Sequence, residues 1–204
     1  MRSLLALSCA IDALSRVVGR TVSWLILVVV VISATNAVSR KAFHISSNAW
    51  LEVQWYLFGA IFLLAAGYTL LHNEHVRVDV LATKFTERTQ VKIEIFGVLL
   101  FLLPICAFIF WMAIPMFVDS YVTGEMSSNS GGLIRWPVKL MVPVGFGLLL
   151  LAGVSHLIKC IGFLKGLCPN PLQKLQTKSS EELLAEEIAR QAAIQAEANT
   201  KKGS

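Results

Sequence analysis

The chain has 204 residues, of which 55% are hydrophobic and only 15% charged, and its formal net charge is +5. Soluble domains carry about 25% charged residues, so this composition indicates a membrane protein rather than a soluble domain. The charges cluster in short stretches between long uncharged ones. This pattern is typical of a multi-span membrane protein, because an unpaired charge in hydrocarbon is costly.

Residues 1–16 predict an amphipathic helix at the membrane interface. Asp12 and Arg16 interrupt the early apolar region, which argues against a cleaved signal peptide. Apolar residues recur at helical spacings of three and four, namely at Leu4, Leu7, Ile11, Leu14 and Val18. We therefore expect this segment to lie in the interface and to lead into the first span.

Four apolar segments are each long enough to cross a hydrocarbon core of about 30 Å as a helix. They lie near 17–38, 49–71, 93–117 and 138–162. The alternation of a membrane β-barrel is absent from them. After the membrane domain, 17–165, residues 166–204 are polar and include a capping-box pattern from Ser179 to Glu182. The prediction is an all-α membrane protein with four transmembrane helices, an N-terminal interfacial helix and a cytoplasmic helical tail.

The positive-inside rule predicts that both termini are cytoplasmic. Eleven lysines and arginines lie in the N-terminal segment, in the 2–3 loop and around the end of the fourth span, whereas four lie on the other side of the membrane. Tryptophans agree with this orientation, because Trp50, Trp55, Trp111 and Trp136 all fall near the predicted outer interface, where aromatic belts form. We therefore attribute the net positive charge to the enrichment of lysine and arginine on the cytoplasmic side, and not to a surface that binds nucleic acid.

The histidines and cysteines do not predict a redox-active, metal-binding or haem-binding site. None of the four cysteines forms a C-x-x-C pair, so a thiol oxidoreductase is not indicated. His72, His75 and His156 fall at similar predicted depths, which leaves a metal or haem bundle as an alternative. We favour interfacial histidines that form hydrogen bonds to their neighbours, and we expect no metal and no cofactor in this chain.

Polar residues inside the spans are few and lie near the ends. Asn36 and Glu52 match in depth near the outer side, which predicts a hydrogen bond between them. Glu94 begins the third span at about the level of His156 and Lys159. An ion path is one interpretation of these residues. We favour interhelical hydrogen bonding or a contact with another subunit, because neither set reaches the middle of the membrane and the span centres are apolar.

Three stretches in order resemble the small permease subunit of tripartite ATP-independent periplasmic (TRAP) transporters, the DctQ family. "WLEVQWYLF" (50–58) is similar to the start of that family's second span, and "HVRVDV" (75–80) is similar to the cytoplasmic elbow after it. "GGLIRWPVKLMVPVGFGLLLLAG" (131–153) resembles the loop into the fourth span. The resemblance covers roughly residues 17–165 and is carried by the order and spacing of all three stretches.

The resemblance implies a non-enzymatic scaffold in the bacterial inner membrane, surrounded by membrane lipids. In this family, a large permease subunit carries the substrate and sodium sites, and a periplasmic solute-binding protein delivers the substrate, usually a carboxylate such as a dicarboxylate. The matching structural or interfacial residues are Glu52, Gln54, Trp55, His75, Arg77, Asp79, Arg135, Trp136 and Lys139. No catalytic or substrate-binding residue is expected in this chain.

Two hypotheses follow for particular segments. Arg77 and Asp79 are expected to hold the elbow at the headgroup level. The 3–4 loop is the longest outer segment, so Asp119, Glu125 and Arg135 are candidates for docking the binding protein. Three alternatives remain open: the four-span subunit of a tricarboxylate-type transporter, a four-helix b-haem membrane protein, and a membrane assembly factor with no transport role.

Overall fold

The computed structural model describes residues 2–43, 47–72 and 85–172, which all belong to one compact unit. The regular elements are helices: α1 (Arg2–Phe43), α2 (Asn48–Leu71), α3 (Glu87–Gly97), α4 (Leu103–Val122) and α5 (Trp136–Leu164). A π-helical turn, Val98–Leu102, joins α3 to α4, so the two form one third span. The predicted all-helical fold is confirmed.

Among the described residues, four helical segments are long and apolar enough to cross a membrane: Leu4–Phe43, Asn48–Leu71, Glu87–Val122 and Trp136–Leu164. This confirms the four predicted spans. The first helix differs from the expectation in one respect, because α1 runs through all 42 of its residues as one element. No break separates an interfacial helix from the first span, and the division of the chain at residue 16 stays a prediction.

The stripe of α1 that packs against the rest of the chain is polar. Ser8 and Asp12 are 1% and 8% exposed, whereas Leu4 and Leu7 are 46% and 50% exposed. The buried polar groups gain hydrogen bonds to α5, since Ser8 and Asp12 both contact Ser155, whereas the leucines are left on the outer face. The leucine stripe predicted from the sequence is thus mainly the outward face of α1.

The helix α5 holds the other spans together. It packs against α2, against the third span and against α1, and α1 also packs against α2. Contacts of Leu63 with Gly145 and of Gly67 with Ala152 show that α2 and α5 run parallel. The third span is antiparallel to α5, because Phe110 faces Gly147 and Leu102 faces Gly153. The spans therefore alternate in direction along the chain.

Pro104 explains why the third span contains a π-helical turn. Proline has no N–H and its ring clashes with the carbonyl four residues earlier, so it disturbs an α-helix. Here the preceding residue, Leu103, donates its N–H to the carbonyl of Val98, five residues back. The wider turn accommodates the proline and lets α4 continue the span.

Gly145 permits a close backbone approach between α2 and α5. A Cβ atom at this position would lie 2.7 Å from Leu63 Cβ and 2.9 Å from the Leu63 carbonyl oxygen. We therefore expect Gly145→Ala to force the helices apart and to destabilise the protein by about 1–3 kcal/mol, the usual cost of overpacking. Thermal unfolding in detergent measures this change.

The matched control is Gly97→Ala, because a Cβ at Gly97 would meet nothing within 4 Å. It introduces the same methyl group into another membrane helix without a clash. An unfolding temperature that falls equally in both variants would contradict the close α2–α5 contact.

Candidate functional site

The segment 123–135 between α4 and α5 folds into a short hairpin, called the hairpin below. Met126 and Ile134 form an isolated antiparallel bridge, and the Ser127 N–H donates to the Leu133 carbonyl at 2.9 Å. Gly124 and Gly131 have φ angles of 60° and 70°, which glycine adopts without steric cost. The hairpin lies at the end of the bundle that the charge count predicts to be periplasmic.

Glu52 ties the hairpin to α2. Its carboxylate is buried, with the residue only 4% exposed. One oxygen accepts hydrogen bonds from the Ser127 hydroxyl and from Asn129 Nδ2 at 2.7 Å, and the other accepts from the Leu133 N–H at 2.7 Å. These contacts take the place of the predicted hydrogen bond to Asn36. A buried carboxylate with three donors fixes the hairpin on the first turns of α2.

Glu125 ties the other side of the hairpin to α5. It forms ion pairs with Lys139 and, at 3.3 Å, with Arg135. The Arg135 N–H also donates to the Glu125 carbonyl at 2.9 Å. The hydrogen bond from Lys139 and that from Arg135 lower the pKa of Glu125 to about 2 despite some desolvation. The hairpin is therefore braced against two helices by two carboxylates.

The lowered pKa of Glu125 makes the hairpin sensitive to acid. Because the folded-state pKa lies below the ordinary 4.5, ionised Glu125 stabilises the hairpin above about pH 4.5, and this contribution is lost as the pH falls towards 2. We expect the Arg135 N–H to exchange with deuterium faster at pH 3 than at pH 6, after correction for the intrinsic rate. Glu125→Gln should abolish this difference, and equal protection of the wild-type amide at both values would contradict it.

The remaining predicted residues at this end face different surroundings. Gln54 accepts a hydrogen bond from the Ser33 hydroxyl at 3.2 Å and so links α2 to α1. Trp55 is 68% exposed and points away from the chain. Trp136 packs edge-on against Tyr121, with ring centroids 5.6 Å apart. Asp119 is exposed in the last turn of α4. The other two docking candidates, Glu125 and Arg135, pair with each other.

A second polar cluster joins α1 to α5 at the opposite end of the bundle. The Asp12 carboxylate accepts a hydrogen bond from the Ser155 hydroxyl at 2.7 Å and pairs with Lys159 at 2.5 Å. The Ser8 and Ser155 hydroxyls are 2.7 Å apart. Nearby, His156 Nε2 lies 3.1 Å from Glu94 Oε1. This contact confirms the prediction that the two residues lie at about the same depth in the helix bundle.

These polar groups lie at the ends of the spans and do not form a path between them. An apolar cavity of about 500 Å³ lies between Leu70 of α2, the third span and Leu149 of α5, with Glu94 as its charged residue. Along α2, no charged side chain follows Glu52. In the described residues, no three His, Cys, Asp or Glu side chains are close enough to share a metal ion.

Several predicted residues cannot be placed. His75, Arg77 and Asp79 of the elbow lie outside the described residues, as does the tail beyond Leu172. The predicted roles of the elbow and the helical tail stay predictions.

Four apolar helices with polar contacts at both ends define a multi-pass helical membrane protein. The family model of the DctQ component of tripartite ATP-independent periplasmic transporters matches residues 29–162, which is more than half of the chain. The chain belongs to this family, whose members are transporter components and not enzymes. The resemblance seen in the sequence is thereby confirmed. No curated protein and no solved structure matches the chain.

Sequence reasoning missed the partners of both end clusters. The hairpin donors Ser127 and Asn129 lie 75 and 77 residues from Glu52, so no local spacing reveals them. Asp12 did carry a signal, because Ser8, Asp12 and Ser15 share one helical face and all are buried. A polar stripe in an otherwise apolar membrane helix indicates a contact with another helix.

Proposed function

We propose that this chain is the fixed scaffold subunit of a TRAP transporter in the bacterial inner membrane, with both termini in the cytoplasm. It supports the large permease subunit and helps dock a periplasmic binding protein that delivers a carboxylate-type solute. The large subunit carries the solute and sodium sites, and this chain holds no cofactor. Family membership and the positive-inside count support this assignment.

The observation that carries the proposal is the double bracing of the hairpin by Glu52 and Glu125. A docking element must keep its shape when its partner leaves, and a buried carboxylate with three donors provides such rigidity without the partner. The apolar span centres support the same division of labour, because a solute path through this chain would need polar groups there.

The test is sodium-driven uptake of candidate carboxylates by cells that express the large subunit and the binding protein with or without this chain. We expect uptake and co-purification of the large subunit to require the chain. Uptake at the full rate without the chain would overturn the scaffold role. Uptake that depends on a gradient of another ion and not on sodium would overturn the sodium assignment.

Charge reversal at Asp119 tests docking in particular. Asp119 is exposed and lies beside the braced hairpin, so Asp119→Lys should leave the hairpin intact and change only the surface that a partner meets. We expect roughly tenfold lower uptake at a limiting concentration of binding protein, because like charges across an interface repel. Arg40→Glu is the control at the same predicted side of the membrane. Unchanged uptake by Asp119→Lys would remove this residue from the docking surface.

A further inference from the structure

Arg16 and Arg20 are two exposed cations on α1 without an anionic partner in the part of the chain that the structure describes. They lie one helical turn apart and so share a face. The nearby acids are occupied, because Asp12 pairs with Lys159 and Glu94 contacts His156. The positive charge of this end of α1 is therefore not neutralised by the described residues.

The packing of α1 fixes the depth of these arginines. Arg16 and Arg20 follow Asp12 by four and eight residues, so their Cα atoms lie about 6 Å and 12 Å from it along the helix axis, toward the centre of the span. Gly19, next to Arg20, lies against the ring of Tyr68, one turn before the end of α2. Helical side chains tilt toward the N-terminus, so both guanidinium groups are directed back to the near membrane surface.

The same face of α1 continues as an apolar surface into the span. Trp24, Leu27 and Val31 follow Arg20 at spacings of four, three and four residues and are 68%, 54% and 56% exposed. This face thus presents a basic pair followed by an apolar strip. A lipid with an anionic headgroup and two hydrocarbon chains has complementary groups in the same order. A tryptophan below a basic pair also suits the interfacial region of a bilayer.

We propose that Arg16 and Arg20 bind the phosphate of an anionic phospholipid in the leaflet at the N-terminal end of α1, with its acyl chains along Trp24, Leu27 and Val31. Arginine binds phosphate oxygens through its planar fork of donors, and two such groups one turn apart can hold one headgroup. Basic pockets beside membrane helices recognise anionic headgroups in this way. A carboxylate of a partner subunit is the competing occupant, but the tilt of both side chains toward the membrane surface favours the lipid.

The test compares lipid retention by the full-length chain in its complex with the large subunit. The purified complex is incubated in detergent with phosphatidylglycerol or with phosphatidylcholine of the same acyl chains, and bound lipid is counted by native mass spectrometry. We expect wild type to retain phosphatidylglycerol preferentially. The preference should fall about fivefold for each arginine changed to glutamine, and R16K/R20K should retain more of it than R16Q/R20Q.

The control is R40Q/K41Q, which removes two exposed charges from the other end of the same helix. Equal retention of the two lipids by wild type, or an equal loss in the control variant, would overturn the proposal. The proposal would also be overturned if the R16Q/R20Q variant kept its phosphatidylglycerol but lost the large subunit. That result would mean that the arginines contact a carboxylate of the partner. Circular dichroism of each variant verifies that the helices are intact.

Discussion

Glu52→Ala is expected to release the hairpin from α2. The substitution leaves the Ser127 hydroxyl, the Asn129 amide and the Leu133 N–H without their shared acceptor. The substitution removes three hydrogen bonds to a charged acceptor at once, and the Ser127 and Leu133 donors are half-buried, so the hairpin should open far more often. Trypsin cleavage after Arg135, at the end of the hairpin, should become about tenfold faster. Mass spectrometry of the fragments under limiting trypsin measures this rate.

Gln54→Ala is the matched control for this prediction. Gln54 lies two residues further along α2 and bonds to Ser33 of α1, so its loss removes a polar contact without touching the hairpin. Cleavage after Arg135 that is equally fast in both variants would show that general loosening of α2, not the loss of the carboxylate, opens the hairpin. If the proposed function holds, Glu52→Ala should also reduce uptake while the large subunit still co-purifies.

Asp12→Ala is expected to cause the largest loss of stability at the opposite end. It leaves the Lys159 ammonium, whose side chain is only 24% exposed, without its counter-charge between α1 and α5. The pair is partly buried, so its loss should cost more than the about 1 kcal/mol of a surface pair and less than the about 3–5 kcal/mol of a fully buried one. The midpoint of thermal unfolding in detergent, followed by size-exclusion chromatography, should fall accordingly.

The double variant Asp12→Leu/Lys159→Met separates the ion pair from simple packing. Because both charges are replaced by apolar groups, no buried charge is left unpaired, and most of the lost stability should return. Arg40→Gln, at the exposed far end of α1, should have little effect. A double variant as unstable as Asp12→Ala would mean that the contact depends on shape and hydrogen bonding to Ser155 rather than on charge.

Much of the fold could be predicted because hydropathy is a local property. Each span is an uninterrupted apolar stretch of sufficient length, and a helix is the structure that satisfies its own backbone in hydrocarbon. The match in level between Glu94 and His156 was also predictable, since both lie near the same ends of their spans. The long Val-rich core of α1 and the Leu-rich core of α5 needed no tertiary information to be assigned to the membrane.

The packing faces could not be predicted in the same way. In water, apolar periodicity points to the buried face of a helix, whereas the stripe at Leu4, Leu7 and Leu14 predicted only an interfacial helix. In a membrane, the solvent is itself apolar, so the rule loses its force, and α1 packs through Ser8, Asp12 and Ser15 instead. The third span shows the same effect, because large apolar residues such as Phe108 and Trp111 remain exposed.

By itself, the sequence determined the class of protein, the number of spans and the family, since these depend on composition, local hydropathy and the order of short motifs. Only the tertiary structure decided what the acids near the ends of the spans do. Glu52 holds a hairpin from 75 residues away, and Asp12 holds the fourth span from 147 residues before its partner Lys159 in the chain. The physical reason is that a buried charge must find a partner, and that partner is set by which helices lie side by side.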